Sequence, residues 1–222
     1  MALMKSKEIP KGAVVIDEFE ATVYAWDLVN NWKSVKDKWA LEYGPFVLGG
    51  INALSGVLIN SHYRGKLKLG NYGYFASVIP ISVMPGIMTP ALHRHLVSTD
   101  ILLMKSACPI CYEMRATAIQ LGLGIAYPMV LAPLTGLMLA SRYSTARMPS
   151  LFEGPRVVLK FVHKLTRPFT GTLTAIAIFQ SVAAAILTHF EMKNNFTLRH
   201  KIEEIERRLI AERAERGGGV NS

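Results

Sequence analysis

The stretch Ser106–Arg142 reads SACPICYEMRATAIQLGLGIAYPMVLAPLTGLMLASR and is the most informative part of this chain. It begins with the pair Cys108 and Cys111, and it has no Asp, Glu, Lys, Arg or His from Thr117 to Ala140. An uncharged span of this length matches the roughly 20 residues that a helix needs to cross a bilayer. Its glycines and prolines would weaken a helix in water. They are tolerated in lipid because neighbouring helices satisfy the freed backbone groups. The stretch therefore predicts a transmembrane helix.

Three further windows share this pattern. The chain has 222 residues, 50% of them hydrophobic, and a formal net charge of +9. Four windows contain no Asp, Glu, Lys or Arg, and each is near membrane-spanning length: 45–61, 69–92, 117–141 and 168–190. A soluble bundle with buried core helices is the alternative, but four such windows in succession are hard to place in one.

The windows predict an all-α polytopic membrane protein with four transmembrane helices, an N-terminal amphipathic helix and a charged C-terminal helix. We expect residues 1–43 to form an interfacial segment and residues 44–190 a four-helix transmembrane domain. Residues 191–222 are expected to form a charged helical tail with a flexible end. Three prolines in the second window, Pro80, Pro85 and Pro90, predict a helix that is kinked or ends early.

The segment from Asp17 to Leu41 has apolar residues at spacings of three and four, which predicts an amphipathic helix. It holds all three tryptophans, Trp26, Trp32 and Trp39, interleaved with lysines, as is typical of a membrane interface. Two interpretations are open. In the first, the helix is functional: it anchors the protein at the membrane interface or docks a partner. In the second, it packs on the protein's own bundle.

Cysteines and histidines in the connection between the second and third windows are candidates for chemistry. Two cysteines with His93 and His95 could build a zinc site, but the spacing is not that of a zinc finger. A redox pair would need a sheet context that the chain does not offer. A disulfide between Cys108 and Cys111, or two inert thiols, are the readings left open. We therefore expect no catalytic residue, metal site or cofactor.

A basic amphipathic helix is predicted between the third and fourth windows, beginning at Pro155 and stopped by Pro168. One face is apolar: Val157, Val158, Phe161, Val162 and Leu165. The other is cationic, with Arg156, Lys160, Lys164 and Arg167 as candidate contacts for an anionic lipid such as cardiolipin. A solvated helix without a specific lipid is the alternative.

The charged tail carries a short apolar seam at Ile202, Ile205 and Leu209, supported by acid–base pairs four residues apart. The seam is too short for an independent coiled coil, so a helix that docks on a partner is favoured over a free one. Within the fourth window, a small residue every fourth position, at Ala177, Ser181 and Ala185, predicts a contact face between helices.

The block CPICYEMR, the Tyr-Pro pair within the following span, and the segment from Ala140 to Ser144 resemble the transmembrane protein 126 family. The order of four spans extends the resemblance over roughly residues 40–190. The resemblance implies a multi-pass protein of the mitochondrial inner membrane. It also implies an assembly factor for the membrane arm of respiratory complex I, whose partners would be membrane-arm subunits and other assembly factors. The family has no established catalytic residues to carry over.

Two function classes therefore compete: a non-catalytic scaffold, and a transporter or channel for ions or small molecules. An ion pathway usually has an ionisable residue within a span, and the four windows hold only histidines near their ends, such as His62 and His189. This favours the scaffold. A membrane thiol oxidoreductase would rest on the two cysteines alone. Basic residues near the span ends, such as Arg64, Lys66 and Lys68, do not decide the orientation of the spans, and the orientation with both termini in the matrix is favoured.

Overall fold

The protein is described by a computed structural model that covers residues 16–106, 108–145 and 155–218. Within these ranges all regular structure is helical. Six helices follow one another: α1 Glu18–Asn31, α2 Val35–Lys66, α3 Tyr74–Leu102, α4 Pro109–Tyr143, α5 Pro155–Thr166 and α6 Thr170–Gly218. A 3₁₀ turn, Arg167–Phe169, joins α5 to α6.

Four of these helices, α2, α3, α4 and α6, are long and apolar enough to cross a membrane, which confirms the predicted four-span architecture. Each is longer than the uncharged window that predicted it. Each helix therefore carries charged residues beyond at least one end of its apolar segment, such as Arg94 and Asp100 of α3 and Glu191 of α6. As a result, several ionisable side chains that the sequence analysis placed in loops belong to the helices themselves.

Helix α2 is the centre of the bundle and packs against α3, α4 and α6. Glycines allow its backbone to come close to α3. A Cβ atom built on Gly49 would lie 2.5 Å from the carbonyl oxygen of Gly86, and one on Gly56 would lie 2.4 Å from that of Ile81. Small residues are the usual means of close helix packing in membranes. Here they bring two backbones into direct contact.

Helix α3 passes through three prolines without ending. Its α-helical pieces are Tyr74–Val78, Met84–His93 and Thr99–Leu102, and two π-helical turns join them, Ile79–Val83 and Arg94–Ser98. A π turn widens the helix and removes the strict requirement for a donor four residues on, so the first one accommodates the ring of Pro80. Pro85 lies just after that turn, and Pro90 lies inside the α-helical piece Met84–His93. Of the two expectations for this span, a kink or an early end, the early end does not occur. Helix α4 has a similar π turn at Gly122–Ala126, between Pro109–Leu121 and Tyr127–Tyr143.

The predicted single helix from Asp17 to Leu41 is two helices. Trp32 has an extended backbone, and α2 begins after Ser34, also extended. The break lets the chain turn back, so that Lys38 donates a hydrogen bond to the carbonyl oxygen of Asn30 at 3.0 Å. Periodicity could not show the break, because the apolar spacing continues across it.

Helix α5 begins at Pro155, where the sequence predicted its start. Four residues of its apolar face pack against a hydrophobic cluster at the end of the bundle where α2 connects to α3: Val158, Phe161, Val162 and Leu165. Val157 was assigned to that face but is 40% exposed. The helix ends at Thr166, just before Pro168, as predicted. Pro168 lies in the 3₁₀ turn that leads directly into α6. The fourth span and the charged tail are one continuous helix.

The glycine contacts generate the first prediction. We expect Gly49→Ala to destabilise the protein by about 1–3 kcal/mol, because the new methyl group would force α2 and α3 apart. Gly50, the adjacent glycine, has nothing within 4 Å of its built Cβ. Gly50→Ala should therefore be neutral or stabilising by up to about 1 kcal/mol through helix propensity. Thermal unfolding of the two variants in detergent is the measurement. Equal stabilities would contradict the close contact.

Candidate functional site

The interior of the bundle holds a cluster of neutral polar side chains to which every span contributes. Its members are fully buried or nearly so: Asn52 and Ser55 of α2, Thr89 of α3, Gln120 of α4 and Gln180 of α6. Hydrogen bonds join the helices directly. Asn52 Nδ2 donates to Thr89 Oγ1 at 2.7 Å, and Gln180 Nε2 donates to Ser55 Oγ at 2.7 Å. Neutral amides between spans usually serve as links of this kind, typically worth about 1 kcal/mol each.

Gly124, in the π turn of α4, lies directly against this amide cluster. A Cβ on this residue would lie 2.1 Å from Asn52 Oδ1 and 2.5 Å from Gln180 Nε2. No larger residue fits unless both amides move. A glycine in the third window that would weaken a helix in water therefore provides the space in which side chains of α2 and α6 pack against α4.

A second polar cluster is ionisable and lies between α3 and α6. Glu191 has no exposed surface and His93 is 1% exposed. His93 Nε2 lies 3.0 Å from Glu191 Oε1, and Ser98 Oγ donates to Glu191 Oε2 at 3.1 Å. The expectation that only end-of-window histidines would be ionisable is therefore wrong for the bundle interior.

Sequence reasoning missed Glu191 because the residue follows the fourth uncharged window directly and was assigned to the tail. A signal was present in the spacing. Gln180, Ala184, Thr188 and Glu191 recur every three or four residues, and all four are fully buried. The predicted stripe of Ala177, Ser181 and Ala185 lies beside this line and is only half-buried. Small size indicated the contact face less well than polarity at helical spacing did.

At the opposite end of α2, Arg64 is buried rather than part of a basic loop. Its guanidinium donates hydrogen bonds to the carbonyl oxygens of Gly70 and Tyr72 and to Ser77 Oγ, at 2.6, 2.9 and 2.8 Å. Gly70 and Gly73 have positive φ angles, which the tight turn requires. Arg64 thus holds the connection between α2 and α3 and is not available to a lipid surface.

The three tryptophans lie half-buried against the protein's own helices. Trp26 Nε1 donates to Thr99 Oγ1 at 3.1 Å, and the Arg94 guanidinium lies 3.9 Å from the centre of the Trp26 ring. Trp32 Nε1 donates to Asp37 at 3.2 Å. Trp39 packs against Phe190, with ring centres 5.4 Å apart. These contacts hold the three tryptophans against other helices of the chain, and the anchoring of the segment at the interface or its docking on a partner stays a prediction.

Salt bridges fasten α1 to the end of the bundle. Lys105 pairs with Glu18 of α1 and with Asp100 of α3, and Arg115 also pairs with Asp100. Hydrogen bonds to Glu18, and then to Asp100, raise the pKa of the Lys105 ammonium above its ordinary value. Exposed pairs of this kind each contribute little to stability. They orient α1 at this end of the bundle but add little to the free energy of its packing.

A groove of about 970 Å³ lies at this end of the bundle, between α1, the turn after α3 and the beginning of the charged part of α6. Tyr24, Leu28, Leu103, Phe196 and Ile202 are among the residues that line it. The rest of the predicted seam continues beyond the groove, where Ile205 and Leu209 are 49% and 50% exposed. The seam therefore begins in a partly covered groove and ends on an open helix face.

The cationic row on α5 faces outward. Arg156, Lys160, Lys164 and Arg167 are all exposed, whereas the opposite face of the helix packs on the bundle. Within the described ranges no acid pairs with any of the four. The geometry leaves a one-sided positive surface on a helix that joins two spans.

Cys108 and Cys111 lie at the beginning of α4 as free thiols. Cys108 is the N-cap residue, and its carbonyl oxygen accepts a hydrogen bond from Cys111 N at 3.2 Å. A hydrogen bond from the Cys111 thiol, and next from the backbone N–H of Cys111, lowers the pKa of the Cys108 thiol. The disulfide stays a prediction. In the part of the chain that the structure describes, no three His, Cys, Asp or Glu side chains could hold a metal ion together.

The sequence is similar to a known family of transmembrane proteins. A family model described as Transmembrane protein 126 matches residues 27–205. Transmembrane protein 126 of Drosophila melanogaster is 39% identical over 215 residues, which is 96% of each chain. Transmembrane protein 126A of Rattus norvegicus is 32% identical over 114 residues, covering 51% of this chain and 57% of the rat protein. No solved structure matches the chain.

The cysteine geometry predicts unequal thiol reactivity. Cys111→Ser keeps a hydroxyl donor for Cys108, whereas Cys111→Ala removes it. Because the donated bond stabilises the Cys108 thiolate, its alkylation should reach half-maximal rate at a higher pH in Cys111→Ala than in Cys111→Ser. Rates of iodoacetamide labelling across a pH series measure this. Identical pH profiles for the two variants would show that the side-chain bond has no effect.

Proposed function

This chain belongs to the transmembrane protein 126 family, and we propose that it acts as a non-catalytic assembly factor for the membrane arm of mitochondrial respiratory complex I. In this proposal it resides in the mitochondrial inner membrane and holds membrane-arm subunits and other assembly factors. The assignment to complex I assembly rests on the resemblance to the transmembrane protein 126 family. A role in binding partner proteins is supported by the apolar face of α6. Where α6 extends beyond the bundle, Ile205 and Leu209 of this face are exposed.

That face suits a helical partner. The side chains of Ile202, Ile205 and Leu209 lie on one side of α6, because residues three and four apart share a helix face. Arg207, on the opposite side, is 80% exposed and pairs with Glu203. A partner helix with apolar residues at the same spacing would bury the seam and enter the groove at Ile202. The interleaved acids and bases around the seam would set its register.

A transporter or channel is the second candidate function, and Glu191 is the observation that favours it. Ionisable residues buried among membrane helices commonly mark ion pathways. Hydrogen bonds nevertheless join the polar side chains of different spans directly, at Asn52–Thr89 and Gln180–Ser55. Glu191 has no exposed surface, and both its carboxylate oxygens have partners. These contacts favour a packed bundle over an open pathway.

The scaffold proposal is tested on the exposed seam. We expect Ile205→Glu with Leu209→Glu to reduce, by at least tenfold, the complex I subunits that co-purify with the protein from mitochondria. Two carboxylates would be costly to bury in an apolar helix contact. Quantitative mass spectrometry of gently solubilised complexes is the measurement.

Arg207→Glu is the matched control, since it makes the same net charge change on the opposite face of the same helix. It should leave co-purification nearly intact. If the seam variant retains its complex I partners, the seam is not their docking surface. If the unmodified protein captures no complex I subunits at all, the assembly proposal itself fails.

The cationic row of α5 is proposed as a contact for anionic lipid of the cardiolipin type. Its apolar face is already covered by the bundle, so the helix is held with its cations turned outward. Near an anionic surface each cation is worth about 1 kcal/mol, so the four together amount to a few kcal/mol. The lipid would also fix α5 against the turn that leads into the fourth span.

The lipid contact predicts a loss of retained cardiolipin in Lys160→Glu with Lys164→Glu, because the changes reverse the charge at two of the four positions. Lipid mass spectrometry of the purified protein measures the loss. Lys33→Glu with Lys36→Glu is the control, because it makes the same charge change at two exposed lysines, one just before α2 and one in its first turn. Equal cardiolipin in both variants would contradict a lipid site on α5.

A further inference from the structure

The contacts of the buried Glu191 carboxylate indicate that this site binds a proton. We propose that His93, Glu191 and Ser98 form a buried proton-binding site that joins α3 to α6. The carboxylate lies 3.0 Å from the imidazole and 3.1 Å from the Ser98 hydroxyl. His93 Nδ1 is buried without a hydrogen-bond partner among the described residues. Ser98 belongs to a π turn of α3, a feature that is often found at functional sites.

Among the residues that the structure describes, no permanent charge on the neighbouring helices pairs with the Glu191 carboxylate. Helix α2 presents Gly44, on which a Cβ would lie 3.1 Å from Glu191 Oε1. Most of the other titratable or charged groups on the described helices packed around the site are engaged elsewhere or exposed, and Glu113 of α4 is half-buried. Lys38 pairs with Glu42, Arg94 covers Trp26, Lys105 and Arg115 pair with Asp100, the Tyr112 hydroxyl donates to backbone carbonyls, and His95, His189 and Lys193 are exposed.

The proton follows from the cost of an isolated charge. A neutral imidazole beside a carboxylate would leave a net negative charge in an environment without water, which costs several kcal/mol. One added proton removes that charge, whether it resides on the carboxyl group or on the imidazole. In the first case the carboxyl group and the imidazole are both neutral. In the second they form an ion pair. Either way the folded cluster binds one proton that the pair would otherwise lack.

The unfolded chain does not hold this proton above neutral pH, because a free glutamate is ionised and a free histidine is neutral there. The native state therefore binds one proton more than the unfolded state. When the native state holds the extra proton, stability falls as the pH rises, and the folding constant falls about tenfold per pH unit. This dependence continues until the buried pair itself releases its proton. The site thus couples the contact between α3 and α6 to the proton concentration.

Glu191→Gln tests the site while preserving its shape. The glutamine Oε1 can accept from His93 Nε2–H, and its amide can donate to Ser98, with no proton to bind. Unfolding of the full-length protein by dodecyl sulfate in mixed micelles, between about pH 7 and about pH 9, gives the folding constant. We expect the wild-type constant to fall about tenfold more per pH unit than that of Glu191→Gln. Glu203→Gln, at an exposed acid of the same helix, should behave as wild type.

His93→Gln separates the two residues, because Glu191 must then carry the proton alone, and stability should still fall with pH. A Glu191→Gln profile parallel to that of the wild type overturns the proposal. A His93→Gln profile that loses the dependence overturns it as well. If Glu191→Gln does not accumulate, the wild-type profile decides: a folding constant that does not fall over the same pH range excludes the bound proton.

Discussion

The contact between the backbones of α2 and α3 is the constraint on which the other interactions of the bundle depend. At Gly49 and Gly56 the carbonyl oxygens of α3 occupy space that any side chain would fill. In lipid no hydrophobic force drives helices together, so association depends on close packing and on hydrogen bonds between helices. The close approach brings Asn52 within reach of Thr89 and Ser82 Oγ within 2.7 Å of the Ala53 carbonyl oxygen. Without the glycines these short polar side chains could not span the gap.

The π turns of α3 and α4 complement that approach. The first π turn of α3 accommodates Pro80, and the π turns direct specific residues toward the neighbouring helices. Ser82 and Ser98 both lie in π turns of α3, and both bond to other spans. Gly124, in the π turn of α4, makes room for amides from two other helices. Irregular helix geometry and polar contact thus occur at the same places, because widened turns reposition side chains that a regular helix would direct elsewhere.

The two ends of the bundle differ in a way that bears on the proposed function. One end is closed by Arg64 and by the packed face of α5, and it presents cations outward. The other end carries α1, the groove and the long extension of α6. In the proposed scaffold the first end meets the anionic membrane surface and the second meets protein partners. The buried His93–Glu191 pair lies between the four-span amide cluster and this second end along α6, so it is placed to link the two.

Four uncharged windows were enough to predict the class of fold, because the bilayer sets both the length and the polarity of a spanning helix. The amphipathic pattern of α5 and its start at Pro155 were also readable, since local spacing and proline geometry determine them. Tertiary structure alone decided which residues meet. Arg64 and Glu191 resembled loop charges because a window of composition ends where the first charge appears, whereas a helix continues for as long as its backbone bonds are satisfied. Burial of those charges depends on hydroxyls, carbonyls and an imidazole that are distant in sequence or contributed by other helices, and no local pattern records such partners.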